Sequence, residues 1–228
     1  MRELRGKLRG ILKNRRGIVG IEAAIVLIAF IIIAAALSYV VINMGFYTAQ
    51  KTKETMQTGL EESLSALQLD GSVIGKTNGV GHIEWVIIPV KLSAGKGTLD
   101  LNNGSLIVSV YLPTATLLDI YEGVVHSEEY GTDIDILIGN LSITRGMNTS
   151  DSAVFVTVNA DEDPVLESSE KAFLIIHLNE TISETNIRHS IADYETFKIE
   201  VKGAKGAALT VVRTAPGGMA KDAYIDLG

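Results

Sequence analysis

The sequence predicts an α+β protein: a long N-terminal hydrophobic α-helix followed by an all-β domain. Three observations carry that expectation. Ile18 to Ile42 is almost entirely apolar and holds a single charge, Glu22. Helical spacing then outlasts the apolar run, because Ala49, Thr52, Met56, Leu60, Leu64 and Leu67 follow one another at 3, 4, 4, 4 and 3 residues, the period of one helix face. From His82 onward the character changes to short β-branched runs separated by Gly, Asn and Asp turns, which is the pattern of strands in an all-β domain.

The first element is a basic leader, Met1 to Gly17, with Arg2, Arg5, Lys7, Arg9, Lys13, Arg15 and Arg16 against one acid, a net of +6. An apolar run of this length crosses a bilayer as a helix, and the positive-inside rule places the leader in the cytoplasm. A plain signal anchor and a cleaved secretory signal share this pattern, and Ala34-Ala35-Ala36 offers a small-residue cleavage site with Leu37 as the new start. Two details resist both. Glu22 lies inside the apolar run, where an ionised group costs up to about 2.5–3.5 kcal/mol, and a cut at Ala36 would discard half of a continuous helix. The second element is that helix, residues 18–70, about 75 Å long at 1.5 Å per residue. Gly45 and Gly59 are positions where it could soften or bend. Asp70-Gly71-Ser72 and Thr77-Asn78-Gly79 supply the turn and cap residues to end it. Nothing else in the chain is apolar enough to cover it, so its natural cover is copies of itself.

The third element is the domain of residues 71–228. Seven strands are expected, at Ile83–Leu92, Leu106–Leu112, Ile134–Ile138, Val154–Val158, Phe173–Leu178, Phe197–Val201 and Ala207–Val212, and their number and spacing suggest an immunoglobulin-like sandwich. Tyr121–Tyr130 and Ser183–Tyr194 are expected as loops with at most a helical turn. The tail from Thr214, with Pro216-Gly217-Gly218, is expected to be the least ordered part unless it returns as an edge strand.

Arg15-Arg16-Gly17 followed by Ile18-Val19-Gly20-Ile21-Glu22, then Ala23 to Phe30, and later Tyr39 to Gly45, resembles the amino terminus of the archaellins, the archaeal flagellins whose start is related to type IV pilins. The resemblance is dense over residues 14 to about 75 and architectural beyond. It implies a class III signal peptide, cut by a prepilin-type signal peptidase between Gly17 and Ile18, with the apolar helix kept in the mature chain. It implies a helical filament of many copies, extracellular, assembled and rotated by the archaellum motor and platform in the membrane. The precursor would sit in the cytoplasmic membrane with its amino terminus inside. Cutting after Gly17 frees an amine on Ile18, one helical turn from Glu22 and on the same face. In type IV pilins a glutamate at the matching position pairs with such an amine, so Ile18 and Glu22 are the assembly candidates; a solvated headgroup-level carboxylate is the plainer reading of Glu22.

Composition narrows the rest. The formal charge is −7, so removal of the leader would leave −13, and a strongly acidic product argues against nucleic acid as a partner. There is no cysteine, which rules out disulfides and thiolate metal sites. Four sequons, at Asn103, Asn140, Asn148 and Asn179, place acceptor amides where oligosaccharyltransferase could attach N-glycans, and archaellins are commonly glycosylated. Asp133 and Asp135, expected on one strand face, and the Asp161-Glu162-Asp163 turn could hold a cation through oxygen, but they lack a calcium-loop pattern and read more simply as solvated acids. His82, His126, His177 and His189 lack zinc spacing, and Gly203-Ala204-Lys205-Gly206 is a turn rather than a phosphate loop. No cofactor, metal or enzymatic activity is expected. Three rivals stay open: an adhesive pilin that does not rotate, a membrane-anchored or secreted β-sandwich lectin, and a surface hydrolase.

Overall fold

The computed structural model describes residues 15–63, 66–94, 98–127, 133–158, 163–179, 188–204 and 206–228, the side chains of 15–19, 61–63 and 148 excepted. The chain divides into two compact units at the Thr58–Gly59 boundary.

The first unit is helical. α1 spans Arg15–Ser63, 49 residues, and continues through Gly45 and Gly59 and across the Gly17–Ile18 bond. It stops earlier than the expected Leu69. Leu67–Leu69 is instead a strand, β1, paired antiparallel with Val90–Leu92. The helical spacing of Leu64 and Leu67 misleads here because burial against a sheet edge outweighs a local periodicity. Asp70-Gly71 therefore turns the chain between two strands and does not cap α1.

The second unit is a two-sheet sandwich with a helix on its outside. After β1 come β2 (Ile74–Thr77), β3 (Ile83–Leu92), β4 (Thr98–Asp100), β5 (Leu106–Tyr111), β6 (Thr116–Leu117) and β7 (Tyr121–His126). Helix α2 (Ile134–Thr144) and a short 3-10 turn (Met147–Thr149) follow. The chain closes with β8 (Ser152–Val158), β9 (Val165–Glu167), β10 (Lys171–His177), β11 (Thr196–Gly203), β12 (Leu209–Thr214) and β13 (Tyr224–Asp226). The large sheet has the order β13-β2-β3-β10-β8-β7, with β1 also on β3; the small sheet runs β12-β11-β5-β6, and β4 pairs with β9.

Period-two alternation explains the packing. Val86, Ile88 and Val90 of β3, Leu174 and Ile176 of β10 and Phe155 of β8 face the small sheet, where Val108 and Val110 of β5 and Ile199 and Val201 of β11 meet them in one core. The intervening residues of the large sheet, Trp85, Ile87, Val154, Val156 and Ile175, face the other way and are covered by Leu137, Ile138 and Leu141 of α2. A sheet buried on both faces reads as continuous apolar sequence, and β8 and β10 do. β11 alternates cleanly instead: Phe197, Ile199 and Val201 point in, while Lys198 and Glu200 point out and bond at 2.8 Å.

Two expectations are corrected, and a third resolves to its stated alternative. Ile134–Ile138 is the start of α2 and not a strand; Asp133 caps it, its carboxylate accepting from Asp135 N at 2.9 Å. Asp133 and Asp135 therefore do not share a strand face. Tyr121–His126 is a strand, parallel to β8 and bulged at Gly123, whose φ is +121°. The tail returns as the edge strand that was the alternative for it: β13 pairs with β2, Thr77 Oγ1 donates to Ala220 O at 2.6 Å, and Asp193 accepts from Gly218 N at 2.7 Å. Asp135 also anchors α2 to this edge, accepting from Lys76 Nζ at 2.8 Å and from the Tyr224 hydroxyl at 2.6 Å; the Lys76 bond holds the Asp135 carboxyl below the usual range.

Candidate assembly surface

The chemistry of this chain lies in a surface. Residues 20–60 of α1 are exposed throughout. Gly20–Leu60 is long and apolar enough to span a membrane, and none of it is buried. Ile25, Leu27, Phe30, Ile33, Leu37 and Phe46 each expose more than half of their surface. Apolar area left in water costs about 25 cal/mol per Å² relative to burial, so a helix of this size needs lipid or protein around it. Ile18 and Glu22 lie on this continuous helix, about 6 Å apart along its axis at 1.5 Å per residue. The side chain of Ile18 is outside the described set, and Glu22 is exposed with no bond to a described residue. The leader of residues 1–14 is also outside the described residues.

Polar residues on α1 divide into two groups. Thr48, Thr52 and Thr55 turn their hydroxyls back onto the carbonyls of Met44, Thr48 and Lys51, at 2.8, 2.9 and 2.9 Å. Lys51 pairs with Glu54 at 2.6 Å. Tyr39, Asn43, Tyr47 and Gln50, by contrast, bond to no described group. Their spacing of 4, 4 and 3 puts them on one face. That stripe was not anticipated from the sequence, although the spacing is its signal.

The sequons fall in different settings, all in the second unit. Asn103 is exposed in the turn before β5, ahead of Gly104 at φ +91°, and Ser105 donates to Asp100 at 2.7 Å. Asn140 is half-buried on α2, beside the fully buried Leu141, and Ser142 donates to Ile138 O at 2.8 Å. Asn148 sits in the 3-10 turn. Asn179 is half-buried; its backbone N–H donates to Asp151 at 2.8 Å and its side-chain amide to Thr149 O at 3.2 Å. Asn179 thus lies against Thr149, the residue that follows Asn148.

The acids and histidines serve the sandwich. Asp163 accepts from Val165 N at 2.8 Å ahead of β9, while Asp161 and Glu162 lie outside the described residues. His177, 1% exposed, meets Ser150 O at 2.8 Å and Glu84 at 3.1 Å, and its ring lies 4.5 Å from Trp85. His189 meets Asp151 at 2.7 Å. Among the described residues no group of three or more acids and histidines could hold a metal ion.

An uncovered apolar helix joined to a self-sufficient β-sandwich defines a class: a subunit with an assembly or anchoring helix and a separate β domain. Comparison with known proteins specifies it. The model of the archaeal-type flagellin family matches residues 17–213. Probable flagellin 1 of Aeropyrum pernix is 40% identical over 218 residues, 95% of this chain and 100% of that protein. Probable flagellin 2 of Archaeoglobus fulgidus is 32% identical, over 91% of this chain and 93% of that one. Among solved structures, the archaeal flagellum of Methanospirillum hungatei is similar at 25% identity and a TM-score of 0.50, covering 87% of this chain and 94% of that one. The crystal structure of archaeal flagellin FlaB1 from Methanocaldococcus jannaschii, at 17% identity, shares the fold with a TM-score of 0.55, over 71% of this chain and 95% of that one. The chain belongs to the archaeal-type flagellin family.

Proposed function

We propose that this chain is a structural subunit of the archaellum, polymerised through α1 into a helical extracellular filament for swimming. The observation that carries the reading is the exposed helix: 41 residues, Gly20–Leu60, apolar enough for a membrane and buried nowhere, beside a domain whose core is complete without it. The precursor is held in the cytoplasmic membrane with its leader inside and its β domain outside. A prepilin-type signal peptidase cuts between Gly17 and Ile18, and the family match begins at this glycine. The helix then exchanges lipid for the helices of other copies, so its apolar surface stays dry throughout. Donor and acceptor patches differ, and such heterologous contacts grow a filament where they do not close into a ring. The new amine of Ile18 and the carboxylate of Glu22 pair during that exchange, within or between copies, because an intramembrane acid is costly unless partnered.

The motor and assembly platform supply torque, and the chain transmits it. The sandwiches form the outside of the filament, where oligosaccharyltransferase attaches N-glycans; Asn103, exposed in a turn, is more accessible than the half-buried Asn140 and Asn179. The test is the amino terminus of protein sheared from cells, read by mass spectrometry. A start at Ile18 supports the reading. A start at Met1 or Leu37 contradicts it and leaves an anchored or secreted β domain.

A further inference from the structure

We infer that Tyr39, Asn43 and Tyr47, continued by Gln50, form a hydrogen-bonding stripe against a second copy of this chain and fix the register between neighbouring helices. The inference rests on the filament reading and specifies which face of α1 does what.

The stripe is a polar seam in an apolar surface. Tyr39 is 70% exposed and Tyr47 63%, and Val40, Val41, Ile42, Met44 and Phe46 around them are exposed apolar side chains. At 100° per residue, Tyr39, Asn43, Tyr47 and Gln50 fall within an arc of about 80°. Their polar atoms differ from the threonine hydroxyls of the same helix. A threonine hydroxyl reaches the carbonyl four residues back, and Thr48 and Thr52 do so. A phenol points away from the backbone, and the Asn43 amide has two donors and an acceptor to satisfy. None of these groups bonds within the described chain.

In the precursor the stripe lies at the outer membrane boundary, where water and headgroups satisfy these groups. Once another apolar helix covers this face the water is gone, and an unpaired polar group there is costly. Their partners must then come from the covering helix. Apolar contacts alone tolerate sliding of one helix along another. A single buried asparagine in a helix bundle removes that freedom, because only one register pairs it, and does so at a cost in stability. The stripe lies at the outer end of the apolar run, where tyrosines also mark the membrane–water boundary of a spanning helix. That role in the precursor is the competing explanation, and the experiment separates the two.

Cells would carry Asn43→Leu, Tyr39→Phe, Tyr47→Phe or Thr48→Val in place of the wild-type chain. Thr48→Val deletes a hydroxyl that is already satisfied internally and lies on the opposite face. Cryo-electron microscopy reads the helical symmetry of sheared filaments, and light scattering reads their dissociation rate. Processing is followed by mass spectrometry, and the fold of each variant by helix content and Trp85 fluorescence. Asn43→Leu is expected to give filaments of more than one helical symmetry. Each Tyr→Phe change is expected to speed dissociation at least about threefold, the factor typical of one interhelical hydrogen bond, while Thr48→Val changes neither. One shared symmetry and unchanged dissociation in all four would overturn the proposal. So would poor processing or export with normal filaments from whatever matures, which assigns the stripe to the membrane boundary. Wild-type protein recovered only as monomers would instead remove the filament reading itself.

Discussion

Two alanine substitutions should have opposite consequences if α1 and the sandwich are separate packing units. Leu174 is fully buried in the middle of β10, with Ile88 and Phe155 directly opposite on its two neighbours. Leu174→Ala deletes apolar contacts and leaves a cavity in the core between the sheets, a loss of about 2–5 kcal/mol. Ile32 on α1 is 63% exposed, so Ile32→Ala removes little that the isolated chain uses, within about 0.5 kcal/mol. Trp85, the single tryptophan, is 5% exposed on the outer face of the large sheet beside His177, and its fluorescence reports on the sandwich alone. The assay is urea unfolding of the full chain in mild detergent, followed at Trp85. With a slope of about 2 kcal/mol per M, Leu174→Ala should lower the midpoint by about 1–2.5 M. Ile32→Ala should move it by less than about 0.25 M. In sheared filaments the order reverses in part, because the face bearing Ile32 is covered there: Ile32→Ala should weaken filaments that form from a fully stable domain. A Trp85 midpoint lowered equally by both changes, or by Ile32→Ala alone, would show that α1 and the sandwich do not unfold as separate units.

Glu22→Gln keeps the shape of the side chain and removes its charge; filament yield should fall while cleavage at Gly17 continues, and a normal yield by electron microscopy would show that the charge is not needed. Asp70 joins two strands of the large sheet, bonding Lys91 at 2.7 Å and Lys171 at 2.8 Å, and these bonds, Lys171 foremost, hold its carboxyl at about 2. A carboxylate depressed in the folded state stabilises fully above its unfolded value near 3.9 and loses that contribution as pH falls toward 2. Stability measured at Trp85 should therefore drop between about pH 4 and pH 2 more steeply in wild type than in Asp70→Asn; equal slopes would count against the pairing. Glycopeptide mass spectrometry should find Asn103 more heavily modified than Asn140, whose neighbour Leu141 is buried, and the reverse order would show that attachment precedes folding.

The long helix was legible because two independent signals succeed one another, an apolar run over Ile18–Ile42 and a helical stripe from Ala49. Its end was not, since Leu64 and Leu67 keep the helical spacing while Leu67–Leu69 pairs with β3. The core strands of the sandwich were legible as β-branched runs. β7 was hidden by Gly123, which takes an inward position without a side chain to announce it. Ile134-Asp135-Ile136 imitates a strand, yet Asp133 as a cap and the spacing of Leu137, Ile138 and Leu141 belong to a helix. The tail's glycines left low order or an edge strand undecided; the edge strand forms, and Thr77 and Asp193, distant in sequence, hold it. The assembly role proposed for Ile18 and Glu22 comes from the resemblance of the amino terminus, whereas the Tyr39–Gln50 stripe became distinct only once the hydroxyls of Thr48 and Thr52 were seen to be satisfied and its own polar groups not.

In the proposed assembly α1 leaves the membrane and is buried by copies of itself. Cryo-electron microscopy of filaments sheared from wild-type cells tests it directly. The expected density is a core of packed α1 helices beginning at Ile18, with the sandwiches outside. A filament built through the β domains, with α1 absent or lying on its surface, would contradict it.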